Sequence, residues 1–317
     1  MKKVSIIITA YDCEKTIEKA INSCLHQTLD NIEIIIVDDG SNDSTSIIAN
    51  NYSNNFSNVY YYHKENGGVF SARNYGLSKV NGEYFIFLDS DDYFDKDMAK
   101  QMYEKGKENN SDLVYSNFYY TYPNKEKRVV EPIYKDVKSM MINMQSTLWN
   151  KLFKTETIKK IGVNFIDCTR YEDTSFLYKI APFISRIDKI DNEYLHYVQN
   201  NNSLVHRYDL KVLQIVKVLN DLYYFYKQNE IFNQYYSELE YITIRYTLGQ
   251  PYKYCCRIKN KKDRDYALDT LWNHLNRSFP NWRENIYLEK NKSFKNIYFR
   301  LNSTFLRKLF AFITLVY

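Results

Sequence analysis

The stretch Phe85-Ile86-Phe87-Leu88-Asp89-Ser90-Asp91-Asp92 sets three carboxylates in four positions directly behind an apolar run. Such a run, bounded by polar residues, reads as a buried strand of a parallel sheet. In open α/β sheets ligands bind just beyond the carboxyl ends of the strands, so these acids stand where a ligand would stand. Two carboxylates one residue apart suit Mg²⁺ or Mn²⁺, which take one or two carboxylates and complete their shell with phosphate oxygens. The same residues would equally make a solvated acidic turn that caps the following helix, and an Asp-x-Asp alone does not separate the two.

The elements that must position these acids alternate. Val4–Ala10 reads as a first strand, 14–27 as a helix with Ile17, Ala20, Ile21, Cys24 and Leu25 on one face, and 32–37 as a second strand. Asp43, Ser44 and Thr45 are capping residues that open a helix to about residue 52. Val59–His63 is a third strand, a loop through Gly67 and Gly68 opens the next helix, and 83–88 is the fourth strand. Strands alternating with helices give a half with a mostly parallel sheet. Beyond the acids, 95–109 reads as a helix, 112–120 as a strand with 128–133 pairing back as a hairpin, and 187–198 as a further strand pair. Residues 149–153 and 171–176 read as compact aromatic-polar segments in irregular surroundings. From residue 208 the texture is helical, with stripes over 211–228, 231–248 and 264–277, so a boundary is expected near 205, between domains of residues 1–205 and 206–317.

The totals narrow the class. A chain of 317 residues holds one large domain or a domain with an appendage, and 44% hydrophobic residues supply a core. Residues 250–317 carry 14 Lys and Arg against 5 Asp and Glu, a net of +9, which leaves −4 for residues 1–249. A basic surface suits anionic headgroups or nucleic acid, and charge alone does not choose. The cysteines are five, with no Cys-x-x-Cys spacing, which fits a reducing compartment. The apolar run at the N-terminus is too short for a signal peptide and no stretch approaches the roughly 18 apolar residues of a membrane span, so a cytoplasmic location is the default. Phe294, Ile297, Tyr298, Leu301, Phe305, Leu309, Phe312, Ile313 and Val316 recur at helical spacing among Lys295, Arg300, Arg307 and Lys308. Two readings stand: an interfacial helix on an anionic membrane, or a helix packing on its own domain or a second subunit. A dinucleotide-binding fold would need a Gly-rich turn after the first strand, and residues 9–13 contain no glycine.

Taken together, Ser5-Ile6-Ile7-Ile8-Thr9-Ala10-Tyr11-Asp12, Glu33-Ile34-Ile35-Ile36-Val37-Asp38-Asp39-Gly40-Ser41, and Asn66-Gly67-Gly68 through Ser71-Ala72-Arg73 to the acid cluster resemble the family-two glycosyltransferases of GT-A fold, in order and in spacing. Trp149-Asn150-Lys151-Leu152-Phe153 and Tyr171-Glu172-Asp173 resemble later segments of bacterial members that build capsules, surface polysaccharides and teichoic-acid decorations. The resemblance covers residues 3–205. It implies a Rossmann-like α/β domain with a mixed, mostly parallel sheet and flanking helices, followed by a smaller α-helical domain for the acceptor, a membrane surface or oligomerisation. It implies inverting transfer of a hexose or N-acetylhexosamine from a UDP-sugar to a glycan or lipid-linked glycan in surface polysaccharide synthesis.

Residue by residue, the resemblance implies that Thr9, Ala10, Tyr11 and Asp39 cradle the uracil, with help from Asn66, and that Arg73 on the first turn of its helix meets the diphosphate. Asp89, Ser90 and Asp91 would line the donor, Asp89 and Asp91 would hold Mn²⁺ or Mg²⁺, and Asp173 would be the general base. Asp173 as a mere helix cap, with Glu172 sharing its proton, is the other reading. Thr9-Ala10 departs from the Pro and small or branched residue of many members. His206, after Asn200-Asn201-Asn202-Ser203, would be a further metal or phosphate contact, although a lone histidine is more often structural. The chain lacks the Gln-x-x-Arg-Trp motif of processive synthases, so one sugar per encounter is expected. No nucleic-acid partner is expected, and a cytoplasmic chain peripheral to the inner face of the membrane follows if the acceptor is lipid-linked. Two competitors remain. A sugar-1-phosphate nucleotidyltransferase would need a Gly-rich basic turn after the first strand, and a silent carbohydrate-binding subunit would tolerate loss of Asp91 or Asp173.

Overall fold

The computed structural model describes residues 2–199, 208–290 and 293–303, and the chain divides into two compact units, Met1–Asn201 and Asn202–Tyr317. The first unit is α/β. Its sheet begins with four parallel strands, β1 (Val4–Ala10), β2 (Ile32–Asp38), β3 (Val59–His63) and β4 (Tyr84–Asp89), in the spatial order β3-β2-β1-β4. Helices α1 (Ile17–Leu25), α2 (Thr45–Asn55) and α3 (Val69–Ser78) connect them. β2 is buried along its whole length and β4 in all but Asp89, because crossover helices cover both faces of a parallel sheet.

Next come β5 (Tyr93–Phe94), α4 (Met98–Asn109), β6 (Leu113–Tyr122), β7 (Lys125–Val129), α5 (Val137–Asn143), β8 (Lys151–Lys154), α6 (Thr155–Ile161), α7 (Glu172–Ile180) and β9 (Ile187–Val198). β8 runs antiparallel to β4 and to β6, whereas β9 runs parallel to β6, so the sheet is mixed on this side. Three expectations change here. Residues 187–198 form one long strand instead of a pair, held between β6 and the short β5. Residues 149–153 lead into β8, and 171–176 open helix α7.

Register fixes the functional edge. Thr9 lies opposite Asp89 on one side and opposite Val37 on the other, and Asp38 lies opposite Ala10 and His63. The four parallel strands therefore end together, and the loops after them share one rim. Within the apolar interior, Ile6, Ile8, Ile34, Ile36, Ile86 and Leu88 pack in one cluster. Full burial of each such side chain contributes about 1.5–3 kcal/mol.

The second unit is helical: α8 (Gln214–Gln228), α9 (Tyr236–Leu248), α10 (Gln250–Cys256), α11 (Lys261–Ser278), α12 (Ile286–Lys290) and α13 (Phe294–Leu301). Its interior is built from Ile215, Leu219, Leu222, Ile242, Leu271, Leu275 and Trp282. In α13, Phe299 and Asn296 are buried while Phe294, Ile297 and Leu301 are exposed. The remainder of the C-terminal stripe, residues 304–317, lies outside the described residues, as does His206. Among the described residues no helix is long and apolar enough to cross a membrane.

Candidate active site

The rim is stitched from its own loops. Asp12 takes a left-handed backbone, its carboxylate accepts from the Asn42 N–H at 2.7 Å, and its own N–H donates to Ser41 Oγ at 3.0 Å. Thr45 Oγ1 accepts from the Cys13 N–H at 2.8 Å. These bonds tie the loop after β1 to the loop after β2, and between them Tyr11 is left 48% exposed, next to the half-buried Thr9 and buried Ala10. Burial raises the Cys13 thiol and the Ser90 hydroxyl opposes that rise, so Ser90 of the acid cluster stands near the same loop.

Asp38 and Asp39 divide their work. Asp38 is fully buried and accepts from the Ser41 N–H and hydroxyl, from Tyr61 Oη at 2.8 Å and from His63 Nδ1 at 3.2 Å. Ser41, Tyr61 and His63 hold its carboxyl below the ordinary range although burial pushes the other way. His63 thus has a structural partner. Asp39 accepts from Lys64 Nζ at 2.6 Å, the Gly67 N–H at 3.0 Å and the Gly68 N–H at 2.7 Å. A carboxylate offers about four acceptor positions, so three are filled and one is left for a ligand. Gly68 has φ +87°, a conformation that side-chain-bearing residues rarely adopt, and it turns both glycine N–H groups onto Asp39. Asn66 is exposed, and its backbone N lies against Gly40, where a Cβ would come within 2.8 Å.

Arg73 differs from expectation. It is the fifth residue of α3, so it sits on the second turn, and it is only 6% exposed. Its Nη2 donates to Asp89 Oδ1 at 2.9 Å and its Nη1 to Glu172 Oε1, while the buried Nε has no hydrogen-bond partner. Burial works against its charge, and Asp89, Glu172 and Asp173 more than offset that. The guanidinium therefore joins the end of β4 to the start of α7. There Tyr171 is left-handed with φ 69°, a strained state for a non-glycine residue, directly before Glu172 and Asp173.

Asp173 is half-buried, and its Oδ1 accepts from the Thr174 N–H at 2.6 Å. Burial first, and Glu172 second, push its carboxyl up to about 7, with Arg73 opposing. Glu172 is raised as well, mainly by burial. A carboxylate poised near neutrality is suited to proton transfer.

Asp89 and Asp91 are half-buried, and Asp92 is buried. Asp92 Oδ1 accepts from the Val198 N–H at 2.8 Å, tying the acid cluster to the end of β9, while its Oδ2 has no hydrogen-bond partner. Burial and then the charges of Asp89 and Asp91 hold Asp92 well above the ordinary carboxyl range. Among the described residues no group of three or more His, Cys, Asp or Glu is disposed to hold a metal ion. Asp89 and Asp91, two hard carboxylates one residue apart at the end of β4, would nevertheless fit a divalent cation completed by phosphate oxygens. His196 is engaged elsewhere, with Glu126 at 2.8 Å and stacked on Tyr93.

Sequence reasoning missed Lys64 on Asp39, the Arg73–Glu172 pair and the anchoring of β9 by Asp92. Lys64 and Asp39 lie 25 residues apart and Arg73 and Glu172 lie 99 apart, so no local pattern links them.

A mixed sheet whose parallel half ends in one shared rim, beside an acid cluster and a second pair of carboxylates, defines the GT-A class of fold. The chain belongs to glycosyl transferase family 2, whose family model matches residues 5–172. It is 31% identical to the glycosyltransferase EpsJ of Bacillus subtilis over 63% of this chain and 62% of that protein, so the match spans less than two thirds of that relative's length. Its structure resembles the crystal structure of residues 1–349 of S. aureus TarS in complex with UDP-GlcNAc, with a TM-score of 0.59, 20% identity, and 89% of this chain and 92% of that one covered. It also resembles the mannosyltransferase PcManGT from Pyrobaculum calidifontis in complex with GDP-Man and Mn²⁺, with a TM-score of 0.56, 14% identity, and 99% and 86% covered.

Proposed function

We propose that the chain is an inverting, divalent-metal-dependent glycosyltransferase that moves a hexose or N-acetylhexosamine from a UDP-sugar to a hydroxyl of a glycan or lipid-linked glycan, in surface polysaccharide synthesis. One observation carries the reading: Arg73 draws Asp89, at the end of β4, and Glu172, beside Asp173, to one point. The donor's leaving side and the acceptor's proton sink are thereby neighbours. The UDP-GlcNAc bound to TarS supports a uridine donor.

In this reading Tyr11 offers its exposed ring to the base, the open acceptor position of Asp39 takes a base N–H, and Asn66 borders the same pocket with Thr9 and Ala10. Arg73 aligns Asp89 and Glu172 and points a cation at the diphosphate side, in place of a contact from the first turn of α3. Ser90 holds the acid turn against the first loop. Asp89 and Asp91 would hold Mn²⁺ or Mg²⁺, which neutralises charge developing on the leaving diphosphate. Asp173 accepts the proton of the attacking hydroxyl as its oxygen bonds to the anomeric carbon from the face opposite UDP. The bond from that carbon to the phosphate oxygen breaks, its electron pair leaves with UDP, and the configuration inverts. A lipid-linked acceptor would bring the chain to an anionic membrane surface from the cytoplasmic side, where the net +9 of residues 250–317 is favourable.

The test is a panel of UDP-sugars with Mn²⁺, read as thermal stabilisation and donor hydrolysis. At least one donor is expected to raise the melting temperature only when metal is present, and Asp91→Ala is expected to abolish that metal-dependent increment. Absence of any stabilisation of the wild type by a nucleotide sugar with metal would falsify the reading.

A further inference from the structure

Lys151 is the first residue of β8 and is fully buried. Its ammonium donates to Gln145 O at 3.1 Å, Thr147 O at 2.8 Å, Thr147 Oγ1 at 3.1 Å and Asn150 Oδ1 at 2.9 Å. All three protons are thus committed to a single turn, residues 145–150. Taking an ammonium out of water costs several kcal/mol before such bonds form, and the neighbours Leu152 and Phe153 show that the strand itself asks only for apolar side chains. A buried cation here needs a reason other than packing.

The turn's location supplies one. β8 is antiparallel to β4, with Phe85 opposite Phe153, so the chain entering β8 comes from the Asp89 end of β4. Trp149 of the turn stacks on Tyr197 at 5.1 Å, and the next residue, Val198, donates its N–H to Asp92 Oδ1 at 2.8 Å, so the turn meets the acid cluster through the end of β9. Gln145, Ser146 and Thr147 are polar and half-exposed, whereas Leu148, Trp149 and Asn150 are buried. Asn150 in turn donates to Ser116 O at 2.9 Å, which anchors the turn to β6.

We propose that Lys151 is a positioning residue for transfer: it fixes the turn 145–150 as the polar wall of the site that receives the attacking hydroxyl, and it sets a buried positive charge facing Asp173. This inference rests on Asp173 being the base. The charged groups that act on Lys151 are Glu131 and Asp173, and those that act on Asp173 are Glu172 on its own helix, Arg73 on α3 and Asp89 at the end of β4. Burial lowers the Lys151 ammonium to about 8 while Glu131 and Asp173 oppose the shift, so the charge persists at neutral pH.

The experiment compares Lys151→Met and Lys151→Arg by hydrolysis of the UDP-sugar that best stabilises the wild type, with Mn²⁺, across pH, and by ¹³C NMR titration of the Asp173 carboxyl in the metal-free chain. Removing a cation favours the protonated carboxyl, so Lys151→Met is expected to move both the Asp173 titration and the ascending limb of the rate profile up by about half a unit to one unit. Its turnover should fall roughly tenfold with UDP affinity unchanged, as expected when positioning and not binding is lost. Lys151→Arg should return the limb toward the wild-type position because the charge is restored. Unmoved titration and unmoved limb in Lys151→Met overturn the proposal. If that variant does not fold, Thr147→Val decides, since it keeps the charge and removes one acceptor from the turn: lower turnover with an unmoved limb is expected, and unchanged turnover overturns the proposal. A shifted NMR titration in a chain whose wild type hydrolyses no donor would leave the Lys151–Asp173 pairing standing and defeat the transferase reading instead.

Discussion

Arg73 joins a carboxylate 16 residues ahead of it to another 99 residues ahead, and beside the second lies Asp173 with its carboxyl near neutrality. That value has two consequences. In catalysis, a base is active above its pKa, so kcat/KM is expected to rise through about pH 7, and Asp173→Asn should lower turnover by about 10²–10⁴-fold. In folding, the native chain binds this proton more tightly than the unfolded chain, where Asp titrates near its ordinary 3.8. The group therefore favours the fold below that value, and the contribution is lost as pH rises through about 7. Asp173→Asn is expected to be more stable than the wild type at pH 8 by on the order of 1–3 kcal/mol, and equal to it near pH 4. Urea unfolding of both proteins at the two pH values measures the difference.

At the scale of elements, the site depends on loops that satisfy one another. The start of α3 presents the Gly67 and Gly68 N–H groups to Asp39, an arrangement that helix N-termini favour for anions. Gly68→Ala forces a Cβ into φ +87°, which costs about 1–2 kcal/mol and turns the N–H groups away. UDP affinity measured by calorimetry with Mn²⁺ is expected to fall roughly tenfold, with far-ultraviolet circular dichroism unchanged. Equal affinity in the two proteins would show that Asp39 and its cradle do not take part in holding the base.

Across the whole molecule, both units carry buried titratable groups that couple folding to pH. In the first, Asp92, Glu172 and Asp173 are raised, so mild acid favours the fold through these three, whereas the lowered Asp38 acts in the other direction. In the second, His274 is stacked on Tyr223, burial lowers it to about 4, and its Nε2 has no hydrogen-bond partner. A depressed histidine contributes stability above its ordinary 6.5 and loses it as pH falls through about 4. Amide protection, taken relative to the intrinsic exchange rate at each pH, is therefore expected to fall between pH 7 and 4.5 in α11 and the helices it packs with. His274→Phe, which keeps an aromatic ring and removes the titration, should suppress that loss of protection.

The sequence by itself determined the parallel half of the fold and the rim of the site. Val4–Ala10 and Val59–His63 are strands over the residues that their apolar runs mark, and Asp39, Asn66, Gly68 and Asp89 fall at strand ends and helix starts because the alternation of elements leaves them nowhere else. These features are local: they follow from apolar periodicity, capping chemistry and the φ that glycine permits. What only the tertiary structure decided is every pairing across distance. Residues 187–198 became one strand because β6 and β5 were there to flank it, Tyr171 became left-handed to start α7, and Arg73, expected on the first turn of its helix, lies on the second turn in a buried bridge. Lys151 looked like one residue of an aromatic-polar motif until the turn it holds came to rest beside the acid cluster. The reason is the same in each case. A buried charge is tolerable only where partners converge on it, and those partners come from segments whose meeting is set by the packing of the whole sheet.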